Sequence, residues 1–392
     1  MKTLKRTWAD ISLDNLEYNY RSIRAHLPQG TKFLGVMKAD AYGHGAVPVS
    51  RALADLGAEY LAVSNLEEAV QIRRGEVRLP ILILGYTPAE YAANMIFLDI
   101  TQEVHSLEYA RELNEALAGT NYILNVHLKL DTGMTRIGFF AYDNERTLDE
   151  LRQVAQLPHL HIEGVFMHFC VADSRAEADV SFTKLQYKRF MDMLSAMAGV
   201  GIRPEIRHCC NSGATILYPE FALDMVRPGI ITYGNAPSDE LAGALSLRPM
   251  MSLHSMIAQV RTVPAGTDIS YGRLYRTKEE TRVAVLPIGY ADGLSRLLTG
   301  KASFYLQGHQ VPVIGRICMD MCMIDVSNVP EAKPGDVVTI FGYDDDGTLL
   351  PCERLARAQG TINYELLCQI SKRIPRICHR GAETSQILQY IV

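Results

Sequence analysis

The 392-residue sequence has little that would staple or anchor it. Its eight cysteines include no C-x-x-C pair; Cys209 and Cys210 are adjacent, and Cys318 and Cys322 lie four apart. Spacing so sparse and irregular excludes a disulfide scaffold, a zinc ribbon and a thioredoxin-type centre, and predicts reduced, mostly buried thiols. No metal site is expected. There is no basic surplus either: 39 Lys and Arg stand against 44 Asp and Glu, a net charge of −5, so nothing calls for a nucleic-acid partner. The longest apolar runs, such as residues 81–84, are far too short to cross a bilayer. The charged start, Met1-Lys2-Thr3-Leu4-Lys5-Arg6, lacks the apolar stretch of a secretory signal. These absences predict a cytoplasmic protein with no membrane partner, and no repeat or low-complexity tract interrupts the chain.

What is present is an ordinary globular composition, 48% hydrophobic and 21% charged, long enough for two domains. Short runs rich in Val, Ile and Leu fall at 33–36, 60–63, 81–84, 97–100, 123–130, 162–167, 206–209 and 224–227. Little polar alternation breaks them, as expected of strands covered on both faces. Helical patterns lie between them, several with start signals such as Asn65 followed by Glu67 and Glu68. Strands alternating with helices over about 240 residues predict a (β/α)8 barrel, with a doubly wound open sheet as the alternative. After residue 239 the pattern turns β-rich, with strands predicted at 250–263, 282–288, 302–306, 311–317, 322–326 and 336–341 and helices near 352–358 and 364–372. The expected fold class is therefore α/β plus β: a TIM-like barrel domain at 1–239 and a mainly β domain at 240–392.

In a parallel barrel, the residues that follow the strands form the active-site rim. The first run leads into Lys38, Tyr42 and His44, and the fifth into Asp131 and Arg136. The sixth ends at His168, the seventh runs into His208 and Ser212, and the eighth into Arg227, Gly229 and Ile230. A lone lysine at a strand end is usually solvated. Among other cations, however, a desolvated lysine loses pKa and can form a Schiff base. Ser212-Gly213 and Gly229-Ile230 follow strands seven and eight, the common phosphate position of this fold. Lysine and phosphate site together suggest pyridoxal 5′-phosphate.

The segment Val36-Met37-Lys38-Ala39-Asp40-Ala41-Tyr42-Gly43-His44-Gly45 resembles the cofactor-lysine signature of bacterial alanine racemases. The resemblance runs nearly end to end, through Asp131-Thr132-Gly133-Met134-Thr135-Arg136-Ile137-Gly138, Val226-Arg227-Pro228-Gly229-Ile230, Ile269-Ser270-Tyr271-Gly272, Cys318-Met319-Asp320 and Thr361-Ile362-Asn363-Tyr364-Glu365. It implies a barrel followed by a β domain, and racemisation of alanine that supplies D-alanine for peptidoglycan. Lys38 would carry the cofactor and serve as one base, and Tyr271 would be the other, on the opposite face of the substrate. Inversion needs both, because a proton leaves one face and another arrives at the other. A free tyrosine has a pKa of ~10, so neighbouring charge must tune it; His168 and Arg227 would do so, extended by His208. Arg227 would face the pyridine nitrogen, where a permanent cation weakens the ring as an electron sink and suits brief proton exchange.

By the same resemblance, Tyr42, Ser212, Gly229, Ile230 and Tyr364 match the phosphate-binding set. Arg136 would meet the substrate carboxylate, as would the backbone N–H of Met319, with Asp320 beside it. Lys129 matches a position carbamylated in some relatives. Asp173, Arg296, Arg316 and Ile362 match the entryway. The Tyr271 and Met319 positions come from the partner subunit in relatives, which implies a homodimer with shared sites. The stretch from His168 to Ser174 also has some likeness to serine-racemising relatives, so serine stays open as a substrate. A barrel-type decarboxylase, a non-catalytic pyridoxal-phosphate carrier and a cofactor-free aldolase are further alternatives; Arg227, the β domain carrying Tyr271 and the phosphate loops respectively argue against them.

Overall fold

The computed structural model describes residues 6–142 and 144–390. The chain divides into two compact units. One holds residues 16–41 and 46–248; the other holds the segment up to Asn15, Tyr42–Gly45 and everything from Pro249 onward.

In the first unit the apolar runs become strands satisfied on both sides by their neighbours. Lys32–Val36, Tyr60–Val63, Ile81–Ile83, Ile100–Val104, Leu124–Asp131, Leu160–Phe166, Ile206–His208 and Met225–Val226 each pair parallel with the next. The eighth then returns to the first through Met225↔Lys32 and Val226↔Phe33. Closure leaves no sheet edge, whereas a doubly wound sheet would keep two. The expected barrel is therefore what forms. The helix Leu66–Arg74 starts at Asn65, whose side chain accepts from the Glu68 N–H, and Leu107–Ala116 starts at Ser106, which accepts from the Tyr109 N–H. These hydroxyl and amide oxygens satisfy donors that the first turn leaves open.

The fourth strand lies beyond its expected place at 97–100. Phe97 instead ends the helix Ala92–Phe97 and is 71% exposed, and the strand is Ile100–Val104. Its Thr101, Gln102 and Glu103 are all buried, so no apolar run marks it. Buried polar side chains on a barrel strand are a cost that packing alone does not ask for.

The second unit is mainly β, as expected after residue 239. Its path runs Gln259–Val263, Thr281–Leu286, Cys322–Asp325, His309–Ile314, Ser303–Leu306, Val337–Tyr343, Met251–Met256, Thr7–Ser12, Arg376–Arg380, Glu383–Leu388. Neighbours are antiparallel except Thr7–Ser12 with Arg376–Arg380, which are parallel. The division thus departs from a simple cut at residue 239: the strand Thr7–Ser12 is part of the β sheet, paired with Met251–Met256. Both this strand and the final hairpin pair with residues distant in sequence, which no local periodicity reveals. Among the described residues, no helix is long and apolar enough to cross a membrane.

Arg376 is the largest fully buried side chain of this unit. Its Nε donates to the Gly43 carbonyl at 2.9 Å, Nη1 to Ser371 and Ile374, and Nη2 to Ile370. One guanidinium therefore ties the Tyr42–Gly45 stretch to the sheet. Gly43, at φ 81°, has no room for a Cβ, which would lie 2.5 Å from the Leu367 carbonyl oxygen. Arg376→Met would leave these carbonyls short of a donor and is expected to cost about 3 kcal/mol or more. The only tryptophan, Trp8, is buried in the adjacent strand and reports the loss in a denaturant titration. A midpoint equal to wild type would mean the guanidinium is dispensable.

Candidate active site

The chain leaves the first barrel strand in an unusual way. Ala39, Asp40 and Ala41 all have φ between 52° and 54°, and Tyr42 follows at 52°, a left-handed turn without glycine. Each such residue costs about 1–2 kcal/mol. Side chains hold the turn in place. Glu68 accepts from the Ala39 N–H at 2.7 Å and from the Ser64 N–H at 2.7 Å, while Asp40 accepts from the Ala46 N–H at 2.7 Å and from Gln71 Nε2 at 3.3 Å. Lys38, half-buried, opens this turn. Strain kept at a strand end, and held from several sides, is a mark of a functional position.

Arg227, on the neighbouring eighth strand end, is 3% exposed, and every acceptor given to it is neutral. Nη1 donates to His208 Nδ1 at 2.9 Å, and Nη2 donates to the carbonyls of Met167 at 2.7 Å and Cys209 at 3.1 Å, with His168 Nδ1 at 3.4 Å. Burial pulls its pKa down to about 10, which leaves it a cation at neutral pH. Lys129, equally buried, donates to the Leu130 carbonyl, and its pKa falls to about 7 through burial first and then Arg227. The Phe166 ring lies 5.3 Å from the Arg227 guanidinium and 5.5 Å from Lys129 Nζ. Burial and this cation cluster (Arg227, Arg136, Lys129 and Lys38) hold His168 neutral well below its usual range.

The expected phosphate residues assemble in two groups. In the barrel unit the Gly229 N–H donates to Ser212 Oγ at 2.9 Å, and Ile230 opens the next short turn, Ile230–Tyr233. Gly213 must be glycine there, since a Cβ would sit 2.9 Å from Ala172 and Asp173. In the β unit the Tyr42 and Tyr364 rings pair with centroids 6.0 Å apart. Arg136 is exposed in the loop after strand five. That loop is shaped by Asp131, which accepts from the Gly133 and Thr135 N–H groups. Gly138, at φ 125°, closes it against the strand, where a Cβ would lie 2.7 Å from the Lys129 carbonyl oxygen.

Tyr271, Met319 and Asp320 share one open cavity of about 620 Å³ on the β unit, lined also by Ile269, Cys318 and Met323. Tyr271 is 70% exposed and Met319 53%. The phenol rests on a fixed base: Ser270, at φ 65°, donates from Oγ to the Arg316 carbonyl at 2.7 Å. Arg296 borders a second hollow with Tyr271 and Tyr290. Asp320 pairs with Arg373 at 2.8 Å, and Ile362 is exposed. Asp173, half-buried in the barrel unit, is pushed up by burial and then by Glu240 and Asp179. His127, Glu163 and Arg376 escaped the sequence reading. A charge or imidazole inside an otherwise apolar strand, as at 123–130 and 162–167, was the available signal.

A strained lysine-bearing strand end beside a buried arginine with neutral acceptors has the make-up of an enzyme site at the mouth of a barrel that carries an added β domain. The family model described as alanine racemase, N-terminal domain, matches residues 11–237, and that of the C-terminal domain matches residues 250–378. The chain belongs to the alanine racemase family. It is 46% identical to the alanine racemase of Desulfovibrio desulfuricans over 94% of this chain and 97% of that one, and 42% identical to that of Clostridium tetani over the whole of both. Among solved structures, alanine racemase of Clostridium difficile superimposes with a TM-score of 0.94 at 40% identity, covering both chains fully. That of Bacillus anthracis, with bound L-Ala-P, gives 0.92 at 34% identity, covering 100% of this chain and 99% of that one.

The Lys129 shift makes a stability test. Between the folded pKa of about 7 and the ordinary lysine value of 10.5 the unfolded chain holds the extra proton. Wild-type stability should therefore rise with pH across that window relative to Lys129→Met. Denaturant midpoints for both proteins from pH 6.5 to 10, in carbonate-free buffer, should diverge; parallel curves would mean that Lys129 keeps an ordinary pKa.

Proposed function

We propose that the protein interconverts L- and D-alanine with pyridoxal 5′-phosphate, using Lys38 and Tyr271 as its two bases, and so supplies D-alanine for peptidoglycan. The observation that carries this is Arg227: a buried cation whose acceptors are all neutral, on the strand beside the one that ends at Lys38. The donor set suits the cofactor. A rim lysine, a guanidinium with no carboxylate of the described residues against it, and the Ser212–Gly229 pair with no side chain at Gly213 together fit an aldehyde, a ring nitrogen and a phosphate.

When bound, pyridoxal 5′-phosphate draws electrons away from the substrate Cα–H bond. The remaining work belongs to the chain. Lys38 Nζ, on its braced turn, exchanges a proton with one face of Cα, and Tyr271 Oη with the other. Arg227, fixed by four contacts, stays a cation and does not supply the anion that would favour decarboxylation. Ser212, Gly229, Ile230, Tyr42 and Tyr364 bind the phosphate, and Arg136 with the Met319 N–H receives the substrate carboxylate. Tyr271 cannot act while open to water, and Leu274, Met319 and Met321 are exposed with it. Such an apolar face supports a homodimer in which a second copy covers it.

Lys129 deprotonates near neutrality, which is what uptake of carbon dioxide requires. Its Nζ then bonds to the carbon of CO2, a proton is released, and the resulting carbamate offers Arg136 an anion. Protein equilibrated with 13C-bicarbonate should give a carbamate carbon resonance that Lys129→Met lacks; its absence in wild type would remove the modification.

The decisive test is chiral analysis after incubating the cofactor-loaded protein with L-alanine in D2O, with L-serine in parallel. D-alanine deuterated at Cα, formed much faster than D-serine, is expected. Faster D-serine would keep the chemistry and change the substrate, and inversion of neither would overturn the reading. Lys38→Ala should lose the visible absorption of lysine-bound cofactor. Tyr271→Phe should keep that absorption yet turn over L-alanine at least about a hundredfold more slowly, and near-normal turnover would remove Tyr271 as a base.

A further inference from the structure

Below the rim, the barrel interior holds a line of polar side chains that the proposed reaction does not use. His208 and His127 are both fully buried, with His208 Nε2 and His127 Nδ1 2.9 Å apart. His127 Nε2 lies 3.1 Å from Glu163 Oε2, which also accepts from Tyr60 Oη at 2.8 Å and Thr101 Oγ1 at 3.3 Å.

Hydrogen-bond accounting leaves one direction for this line. A guanidinium only donates, so His208 Nδ1, 2.9 Å from Arg227 Nη1, must accept. His208 is then neutral with its proton on Nε2, which donates to His127 Nδ1. That nitrogen must accept in turn, so His127 is also neutral with its proton on Nε2, and this donates to the Glu163 carboxylate. Burial and the neighbouring Arg227 hold His208 well below its usual pKa, and burial lowers His127 despite the carboxylate beside it.

The fold makes room for the line in two separate ways. Val126 pairs with Ile162 and His127 with Gly164, so Glu163 is an extra residue in the ladder between strands five and six. Such a bulge re-aims a side chain, and here the displaced carboxylate meets Tyr60, Thr101 and His127. Gly164 is the position against which the His127 ring lies: a Cβ there would stand 2.5 Å from the ring. The His208 ring in turn stacks on Phe166 at 5.0 Å.

We propose that Glu163 is a positioning residue for the racemase site, the anionic end of a directed hydrogen-bond wire Arg227→His208→His127→Glu163 that orients the Arg227 guanidinium and keeps its donors aimed. The proposal rests on the reading of Arg227 as the cofactor's partner. It involves no proton transfer; the wire is static, and polarisation along it strengthens each bond. Arg227 thereby gains a counter-charge without a carboxylate next to it.

The test is 15N NMR of histidine-labelled protein, with and without cofactor, combined with kinetics of the holoenzyme. In wild type His208 and His127 should both stay neutral and non-titrating between pH 6 and 9, each protonated at Nε2. Glu163→Gln retains an acceptor and removes the charge. It should shift the resonances of His208, which Glu163 does not touch, as well as those of His127, and lower kcat for L-alanine about tenfold with KM nearly unchanged. Tyr60→Phe, which removes one donor to Glu163 and leaves more of the carboxylate's charge for His127, should move both imidazoles the opposite way and by less, and it serves if Glu163→Gln does not fold. Either imidazole protonated at Nδ1, or charged, would overturn the wire. Correct tautomers with kcat unchanged in Glu163→Gln would overturn the positioning role. Because the tautomers are read without turnover, a failed wire is distinguishable from a failed racemase reading.

Discussion

A guanidinium buried at the barrel mouth, with no carboxylate of the described residues in contact, is the constraint around which the barrel unit is arranged. Removing such a cation from water costs several kcal/mol unless its donors are all met. Here the two terminal nitrogens meet neutral groups, two carbonyls and two imidazoles. That choice propagates. Each imidazole facing Arg227 must offer a lone pair, so His168 and His208 stay neutral, as their depressed pKa values agree. Lys129, near the same charge, is driven toward its uncharged form. Lys129 lowers the cluster's repulsion by giving up its proton, which Arg227 does not do at neutral pH.

The left-handed turn after Lys38 is the second expense of the site. Four consecutive non-glycine residues at φ near 53° persist because Glu68 and Asp40 each accept two hydrogen bonds around it. A flexible glycine turn would avoid the strain but would leave the lysine free to wander. Carboxylates rooted on a helix and on the turn itself hold it in place, and under the proposed function that placement meets the tolerance that proton exchange at a single carbon demands.

Much of this was legible before any coordinates. Short runs rich in Val, Ile and Leu mark seven of the eight barrel strands because strands buried on both faces have no reason to alternate. The rim residues followed, since in a barrel position after a strand is position in the site. The failures have one cause. Ile100–Val104 was misplaced because its buried residues are polar. Thr7–Ser12 was absent from the β domain because its partners lie at 251–256 and 376–380. Glu163 and His127 went unread because each sits inside a run that looks like core. Sequence patterns report what a residue prefers, whereas these residues are held against preference by partners far along the chain.

Tyr271 presents the opposite problem to Arg227. It stands on a strained, well-supported turn, with Ser270 at φ 65° and Gly272 at φ 74°, yet its phenol is 70% exposed. Backbone strain spent on an open side chain is wasted unless the position matters to something that arrives later. A phenol in water is solvated on all sides and cannot face a single carbon selectively. Covered, it would exchange with one face of one substrate, in a site of low dielectric where nearby cations act strongly on it. Under the proposed function the β unit is a rigid mount for a group that acts once a second copy covers it. If the proposed homodimer forms, the cleft around Met319 and Cys318 is its docking face, and the exposure of that face in the single chain follows from the role.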